Sequence, residues 1–477
     1  MTQYTVTFQP QGLSVSVEAG SNLLQTQILA GLRPDAPCGG KGTCGKCKVL
    51  LDGQEVLACK TTVDRDMTVF TKEKADTKIL TEGLQVATRP DGTDDYVLAF
   101  DIGTTTVVAY LLDGHTGTLL AQGSCMNPQG QFGADVISRV QLVLGEGGQI
   151  MSDCIRNAMR QLARDTAAQA GIPLEKISAS AIVGNTAMHH LLLNIDPRPL
   201  VTPPYMPNVS EALERNGARI LPNIAGFVGG DTVGCMVATR FDRLEELTLL
   251  IDIGTNGEMV LGNKDRRIAC STAAGPAFEG ARISCGMRGA EGAVDHVTME
   301  NGILSYHTIG EAAPKGLCGS GLLDLVAMLL DAQILEESGR MEEKQYRLCE
   351  NVVLTQKDVR EVQLAKAAIR AGIELLAQQL GIQVADIRRV YLAGAFGNYM
   401  DPASACRIGM IPPVLQDRIV PIGNAAGEGA KLCALSRTEF EYSQKLARET
   451  EFLELASLPQ FQDCYVDALE FCEEEEE

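Results

Sequence analysis

Two spacings of apolar residues divide this chain. Near the amino terminus Tyr4, Val6 and Phe8 alternate with polar neighbours, and Leu13, Val15 and Val17 do the same beyond the turn Gln9-Pro-Gln-Gly12. Period-two alternation across such a turn predicts a β-hairpin with one buried face. Residues 21–32 read as a short helix opened by Ser21, with Leu23, Leu24, Ile28 and Leu29 on its apolar side. A strand at Lys48 to Leu51 follows a glycine-rich loop. Beyond residue 95 the apolar runs become short and continuous, at 97–102, 106–112, 181–183, 249–253 and 390–393, each entering a polar turn. Strands buried on both faces read this way. Between them a helical period appears in Ile150, Cys154, Ile155, Met159 and Leu162, and again in Val359, Val362, Ala365, Ile369, Ile373 and Leu376. Strands alternating with helices predict an α/β chain. The expected divisions are 1–70, a tether at 71–95, 96–245, 246–440, and 441–477 ending in the acidic run Glu473 to Glu477.

One stretch organises the larger part. Leu249-Leu-Ile-Asp252-Ile-Gly254-Thr255-Asn256-Gly-Glu258 is a buried strand entering a tight turn, and Leu98-Ala-Phe-Asp101-Ile-Gly103-Thr104-Thr105 is its twin. Glycine lets the backbone approach a bound group closely. Free N–H groups and small hydroxyls at such a turn suit phosphate, and the adjacent aspartate suits magnesium. Glu258, just past the turn, is placed to reach magnesium or its waters. The repeat predicts two similar halves facing each other across one nucleotide. Gly319 and Ser320 open a helix whose glycines allow backbone to approach phosphate or the other half.

Charge and cysteine usage narrow the chemistry. A net charge of −20 argues against nucleic acid or an anionic membrane as partner, although residues 1–70 are balanced, with six basic and six acidic side chains. Strand-like alternation directly after Met1, in place of a basic stretch and an apolar core, predicts a cytoplasmic protein. No run approaches the roughly 18 apolar residues of a membrane span. Fifteen cysteines in such a chain do not read as a disulfide framework. Four of them, Cys38, Cys44, Cys47 and Cys59, follow the spacing Cys-x5-Cys-x2-Cys-x11-Cys. Four thiolates suit structural zinc or an iron–sulfur cluster. Three clustered cysteines and a distant fourth match the [2Fe–2S] pattern more closely than paired zinc knuckles do. Gly39, Gly40, Gly42 and Gly45 allow that loop to wrap a cluster and turn N–H groups toward its sulfides. The other eleven read as core residues. His189 and His190 are adjacent, so they point apart on a helix and do not form a zinc pair.

The paired Asp-Ile-Gly-Thr turns resemble those of the superfamily of sugar kinases, actin and the ATP-dependent heat-shock chaperones, over roughly residues 95–440. That resemblance implies a duplicated two-lobed ribonuclease H-like ATPase fold gripping ATP and Mg2+. It implies that Gly394, Ala395, Phe396 and Gly397 form the adenosine loop. Asp231, in a Gly-Asp turn similar to one in sugar kinases, then holds magnesium through water or orients the attacking water; its alternative role is a helix cap. Residues 1–70 resemble a β-grasp ferredoxin, the long first cysteine gap matching the adrenodoxin-like branch. Together the parts resemble the reductive activators of corrinoid proteins over nearly the full length. This implies one-electron transfer from the cluster, supplied by a low-potential donor, to the inactive Co(II) corrinoid protein of a methyltransferase system such as an O-demethylase, with ATP gating the step and a homodimer as the assembly. Two rival readings are an electron injector of the 2-hydroxyacyl-CoA dehydratase activator type, and a small-molecule kinase or ATP switch with a zinc domain.

Overall fold

A computed structural model describes residues 2–472, apart from 33, 35, 37–39, 41, 43–44, 72–82, 85, 93, 134 and 301. The amino-terminal alternation becomes a sheet of β1 (Gln3–Gln9), β2 (Leu13–Glu18), β3 (Lys48–Leu51), β4 (Gln54–Leu57) and β5 (Met67–Phe70), in the order β2-β1-β5-β3-β4. β1 and β5 run parallel and the other pairs antiparallel. Helix α1 (Leu23–Leu29) closes one face, with Leu23 and Leu24 in one core with Val6, Phe8 and Val69. Asn22 caps it, accepting from the Leu24 and Gln25 N–H groups, where the sequence pattern pointed to Ser21. Ser21 is still extended chain, and its carbonyl accepts from Val63.

Two further sheets share one plan. The first half holds β6 (Tyr96–Ile102), β7 (Thr106–Asp113), β8 (Leu119–Met126), α2 (Val136–Glu146), α3 (Gln149–Ala170), β9 (Ile177–Gly184), α4 (Thr186–Leu193), β10 (Leu213–Arg215), β11 (Ala218–Ile220) and α5 (Gly230–Thr239). The second opens with β12 (Thr248–Ile253), β13 (Gly257–Gly262) and β14 (Arg267–Thr272). A small sheet of β15 (Ala293–Glu300), β16 (Ile303–Thr308) and β17 (Gly316–Leu317) then leads into α6 (Gly319–Asp331). The hairpin β18 (Gln345–Cys349) and β19 (Val352–Thr355) precedes α7 (Gln356–Leu380). The half closes with β20 (Arg389–Ala393), α8 (Gly394–Tyr399), α9 (Pro402–Arg407), β21 (Ile419–Gly423), α10 (Ala425–Leu435), α11 (Arg437–Glu449) and β22 (Glu451–Phe452). The strand orders β11-β9-β6-β7-β8 and β21-β20-β12-β13-β14 superpose element for element, with β10 and β22 added at opposite edges. In each, the first three strands are antiparallel and the remaining two parallel.

Strand parity decides which face carries the chemistry. In β6, Leu98, Phe100 and Ile102 enter the outer core, while Val97 and Ala99 enter a core shared by both halves. Asp101 falls on the Val97–Ala99 side because side chains alternate. Likewise Leu249, Ile251 and Ile253 face the outer core of the second half and Leu250 faces the shared one, so Asp252 points the same way as Leu250. Helices α5 and α10 cross between the sheets at Gly234 and Gly429, so closely that a Cβ on Gly429 would lie 2.5 Å from the Gly234 carbonyl carbon.

The described residues of the expected tether pack against both halves, and the Gly114 N–H of the first half donates to the Asp95 carbonyl at 2.9 Å. Gly83 bridges to Gly423, Leu84 and Val86 pack on the shared core, and the Asp91 N–H donates to the Leu435 carbonyl at 3.0 Å. Among the described residues, no helix is long and apolar enough to cross a membrane.

Candidate functional site

The two Asp-Ile-Gly-Thr hairpins meet at the ends of β6 and β12, on a cleft of about 480 Å³. Asp101, Gly103, Thr104 and Thr105 line one wall, and Asp252, Gly254, Thr255, Asn256 and Glu258 the other. Asp231, Gly319, Ser320, Gly394, Ala395 and Phe396 complete the lining. Gly397 stands apart from these residues, packed behind the wall with its Cα face against Leu392 of β20. The expected adenosine turn is a one-turn helix, α8. Gly394 has φ +81°, and a Cβ there would come within 2.6 Å of an Asp252 carboxylate oxygen, so glycine is required by both conformation and space. A side chain on Gly319 would run into Phe396 Cδ2 at 2.8 Å, where Phe396 stacks on Phe278 with ring centroids 4.7 Å apart.

Each hairpin is braced from within. The Gly103 N–H donates to Thr106 O at 2.9 Å, and the Gly254 N–H to Asn256 O at 2.8 Å. Asn127 Nδ2 holds the Gly103 carbonyl at 2.8 Å, and the buried Arg139 holds the Thr104 carbonyl at 2.6 Å. Two helix caps serve the cleft as well as their helices. Asn185 accepts from Met188 N–H at the start of α4 and donates to Thr104 Oγ1 at 2.9 Å. Asn424 accepts from Gly427 N–H at the start of α10 and donates to Asp101 Oδ2 at 2.8 Å.

Four half-buried carboxyl groups face the cleft, and their acidities are shifted together. Burial pushes Asp101 up to about 6, against the opposing hydrogen bond from Asn424. Burial and then the Asp101 charge push Asp252 up to about 6. Burial first, and the Asp252 charge second, raise Asp231 to about 7. Glu258 is raised well above the ordinary range by burial, Asp231 and Asp252. Such a set is protonated or demands a cation. Asp231 sits inside the first turn of α5, whose capping position belongs to Gly229; its carboxylate accepts from the Thr232 N–H at 2.8 Å.

Reading the sequence missed Glu279. Its carboxylate spans the cleft, accepting from Thr105 Oγ1 at 3.0 Å and from Thr255 Oγ1 at 2.7 Å, one hydroxyl from each hairpin. No spacing marks this glutamate; only the folded chain brings it to both threonines. Asn424 and Asn185 carry a weak signal, since each follows a strand and opens a helix.

Of the four cysteines expected to bind a cluster, Cys38 and Cys44 lie outside the described residues. Cys47 is buried and Cys59 is partly buried. The Ala58 N–H, one residue before Cys59, donates to the Cys47 carbonyl at 2.8 Å. Gly40 lies against Cys59, and a Cβ on Gly42 would lie 2.5 Å from Lys60 Cε. His189 Nδ1 hydrogen-bonds with Asn223 Nδ2, and His190 Nδ1 with the Thr186 carbonyl.

Comparison with known proteins fits this geometry. A family model described as the C-terminal domain of RACo, the ASKHA domain, matches residues 246–477. One described as the RACo middle region matches residues 96–244. The corrinoid activation enzyme RamQ of Eubacterium limosum is 37% identical over 414 residues, covering 78% of this chain and 69% of that protein. A Co(II) methylated amine-specific corrinoid protein reductase of Methanosarcina barkeri is 26% identical over 425 residues, covering 79% and 77%. The solved structure of a reductive activator for corrinoid,iron-sulfur protein matches with a TM-score of 0.70 and 30% identity, covering 98% of each chain. A cleft between two duplicated halves, continuous similarity to these proteins and two matching family models lead to one assignment: the chain belongs to the RACo family of reductive activators of corrinoid proteins.

Proposed function

We propose that this chain uses ATP to drive one-electron reduction of an inactive Co(II) corrinoid protein to its Co(I) form, in a methyltransferase system such as an O-demethylase. The observation that carries the reading is the likeness over 98% of both chains to a reductive activator for corrinoid,iron-sulfur protein, because it takes in the amino-terminal domain and the cleft together.

The cleft side of the reading rests on donor chemistry. The hairpin N–H groups and the hydroxyls of Thr104, Thr105 and Thr255 suit the phosphates of ATP. Asp101, Asp231, Asp252 and Glu258 fit Mg2+, because four mutually repelling carboxyls call for a hard cation. Asp231, raised to about 7, is suited to accept a proton from the attacking water near neutral pH.

The electron-carrying side rests on residues 1–70. Cys38, Cys44, Cys47 and Cys59 would hold a [2Fe–2S] cluster, which supplies a one-electron centre when bound. The strand order β2-β1-β5-β3-β4 under a single helix supports a β-grasp ferredoxin domain. The left-handed backbone at Gly40, Gly42 and Gly45 supports the tight turning that a cluster-wrapping loop needs. The donor would be a low-potential reductant and the working form a cytoplasmic homodimer. Residues 71–95 would join this domain to clamp halves at 96–245 and 246–440.

The test is anaerobic. Reduced protein, Mg-ATP and a Co(II) corrinoid protein should give the Co(I) absorption band, and omission of ATP should abolish it. Equal reduction without nucleotide removes the gating, and a colourless, zinc-bearing preparation removes the cluster.

A further inference from the structure

The amino-terminal domain touches the segment that bridges the cleft. Lys46, between the cluster-loop residues Cys44 and Cys47, is half-buried. Its ammonium donates to the Gly280 carbonyl at 3.0 Å and to the Gly286 carbonyl at 3.4 Å. Gly280 directly follows Glu279, the residue that ties Thr105 to Thr255. The far end of the same segment joins the cleft again: Met287 N–H donates to Leu317 O, and Leu317 N–H to Cys285 O, both at 2.8 Å. Leu317 leads straight into Gly319 and Ser320 of the lining. Between these ends the loop is closely folded, since a Cβ on Gly280 would stand 2.6 Å from Met287 N and one on Gly286 2.7 Å from Ile283 Cβ. Its tip is fixed to α7, where the Ser284 N–H donates to Asp358 at 2.7 Å. A segment this closely packed shifts as a unit.

We propose that Lys46 docks the electron-carrying domain on the 280–286 loop, and that nucleotide phosphates control this dock by displacing Glu279 from Thr105 and Thr255. The proposal rests on the reading of the cleft as a nucleotide site. Phosphate and the Glu279 carboxylate compete for the same two hydroxyls and repel one another, so occupancy pulls Glu279 away and carries the Gly280 carbonyl with it. Lys46 is thus a positioning residue: it stands outside the lining of the cleft, and it sets where the electron carrier sits in each nucleotide state.

Hydrogen–deuterium exchange of the full chain, with and without magnesium and a non-hydrolysable ATP analogue, tests it. In the parent protein the nucleotide should raise exchange over 45–60 at least about fivefold, in step with 277–288. K46M should lose that rise while 277–288 still responds, and K46R should retain it. E279Q approaches the same link from the cleft side and should raise exchange over 45–60 without nucleotide. The proposal is overturned if 45–60 ignores nucleotide while residues 101–106 and 252–258 respond, if K46M keeps the rise, or if E279Q leaves 45–60 unchanged. Silence of both hairpins would instead remove the nucleotide reading of the cleft, and the dock's control with it.

Discussion

The two halves of the clamp share strand order and a buried aspartate, yet they do not offer the same chemistry. Asn424 caps α10 and donates to Asp101; Asp231, two positions past the Gly229 cap of α5, instead feels the charge of Asp252. One aspartate receives an amide that favours its charge, and the other a carboxylate that opposes it. The neighbouring strand repeats the contrast: Asp101 pairs in register with Val108, and Asp252 with Glu258. The first hairpin is also longer, since Ile102 pairs with Val107 whereas Ile253 pairs with Gly257. The shared hairpins thus give both walls the same backbone turn, and the differences at two positions set an amide and a valine beside Asp101 but two carboxyls beside Asp252.

The sharpest way to break this comparison is to make the walls alike. Asp231→Asn copies the Asn424 arrangement and should lower ATP turnover roughly 10²–10³-fold in a phosphate-release assay, with nucleotide affinity nearly kept. Asn424→Asp copies the acid onto the first wall and should cost far less; equal losses would mean that the walls are equivalent.

The next effect is on pH. Asp101 and Asp252 at about 6 and Asp231 at about 7 hold their protons more tightly folded than unfolded. Their contribution to stability is therefore full below the ordinary carboxylate range and is lost as pH rises through 6 to 7. A cation selects the ionised forms, so calorimetric affinity for Mg-ATP should rise at least about tenfold from pH 5.5 to 7.5, while the melting temperature without nucleotide falls. Glu258→Val gives the second hairpin the Val108 chemistry and should flatten that rise.

Smaller effects separate the crossing of the halves from their periphery. Gly429→Ala forces a methyl group into the Gly234 backbone and should cost about 1–3 kcal/mol in denaturant unfolding. Gly145→Ala, in α2 with nothing within 4 Å, should instead stabilise by about 0.5–1 kcal/mol.

Much of this was legible in the chain. The twin Asp-Ile-Gly-Thr turns, the buried strands before them and the long helix over 358–380 are local patterns, because burial on both faces and a 3.6-residue period leave their mark on neighbouring residues. That Asp101 and Asp252 share the facing side of the sheets came only from the folded cores, because strands buried on both faces carry no alternation to read. Sequence could not pair Glu279 with Thr105, 174 positions away, or Asn424 with Asp101, 323 positions away, because a hydrogen bond between distant segments needs no local spacing. Nor could it show that the described part of the tether packs on the shared core, since its composition is that of a linker. The residues thus determined the elements and the donor types by themselves. Which acid would meet an amide and which another acid was decided only when two sheets closed over α5 and α10, since proximity in space, and not order along the chain, sets the field at each carboxyl.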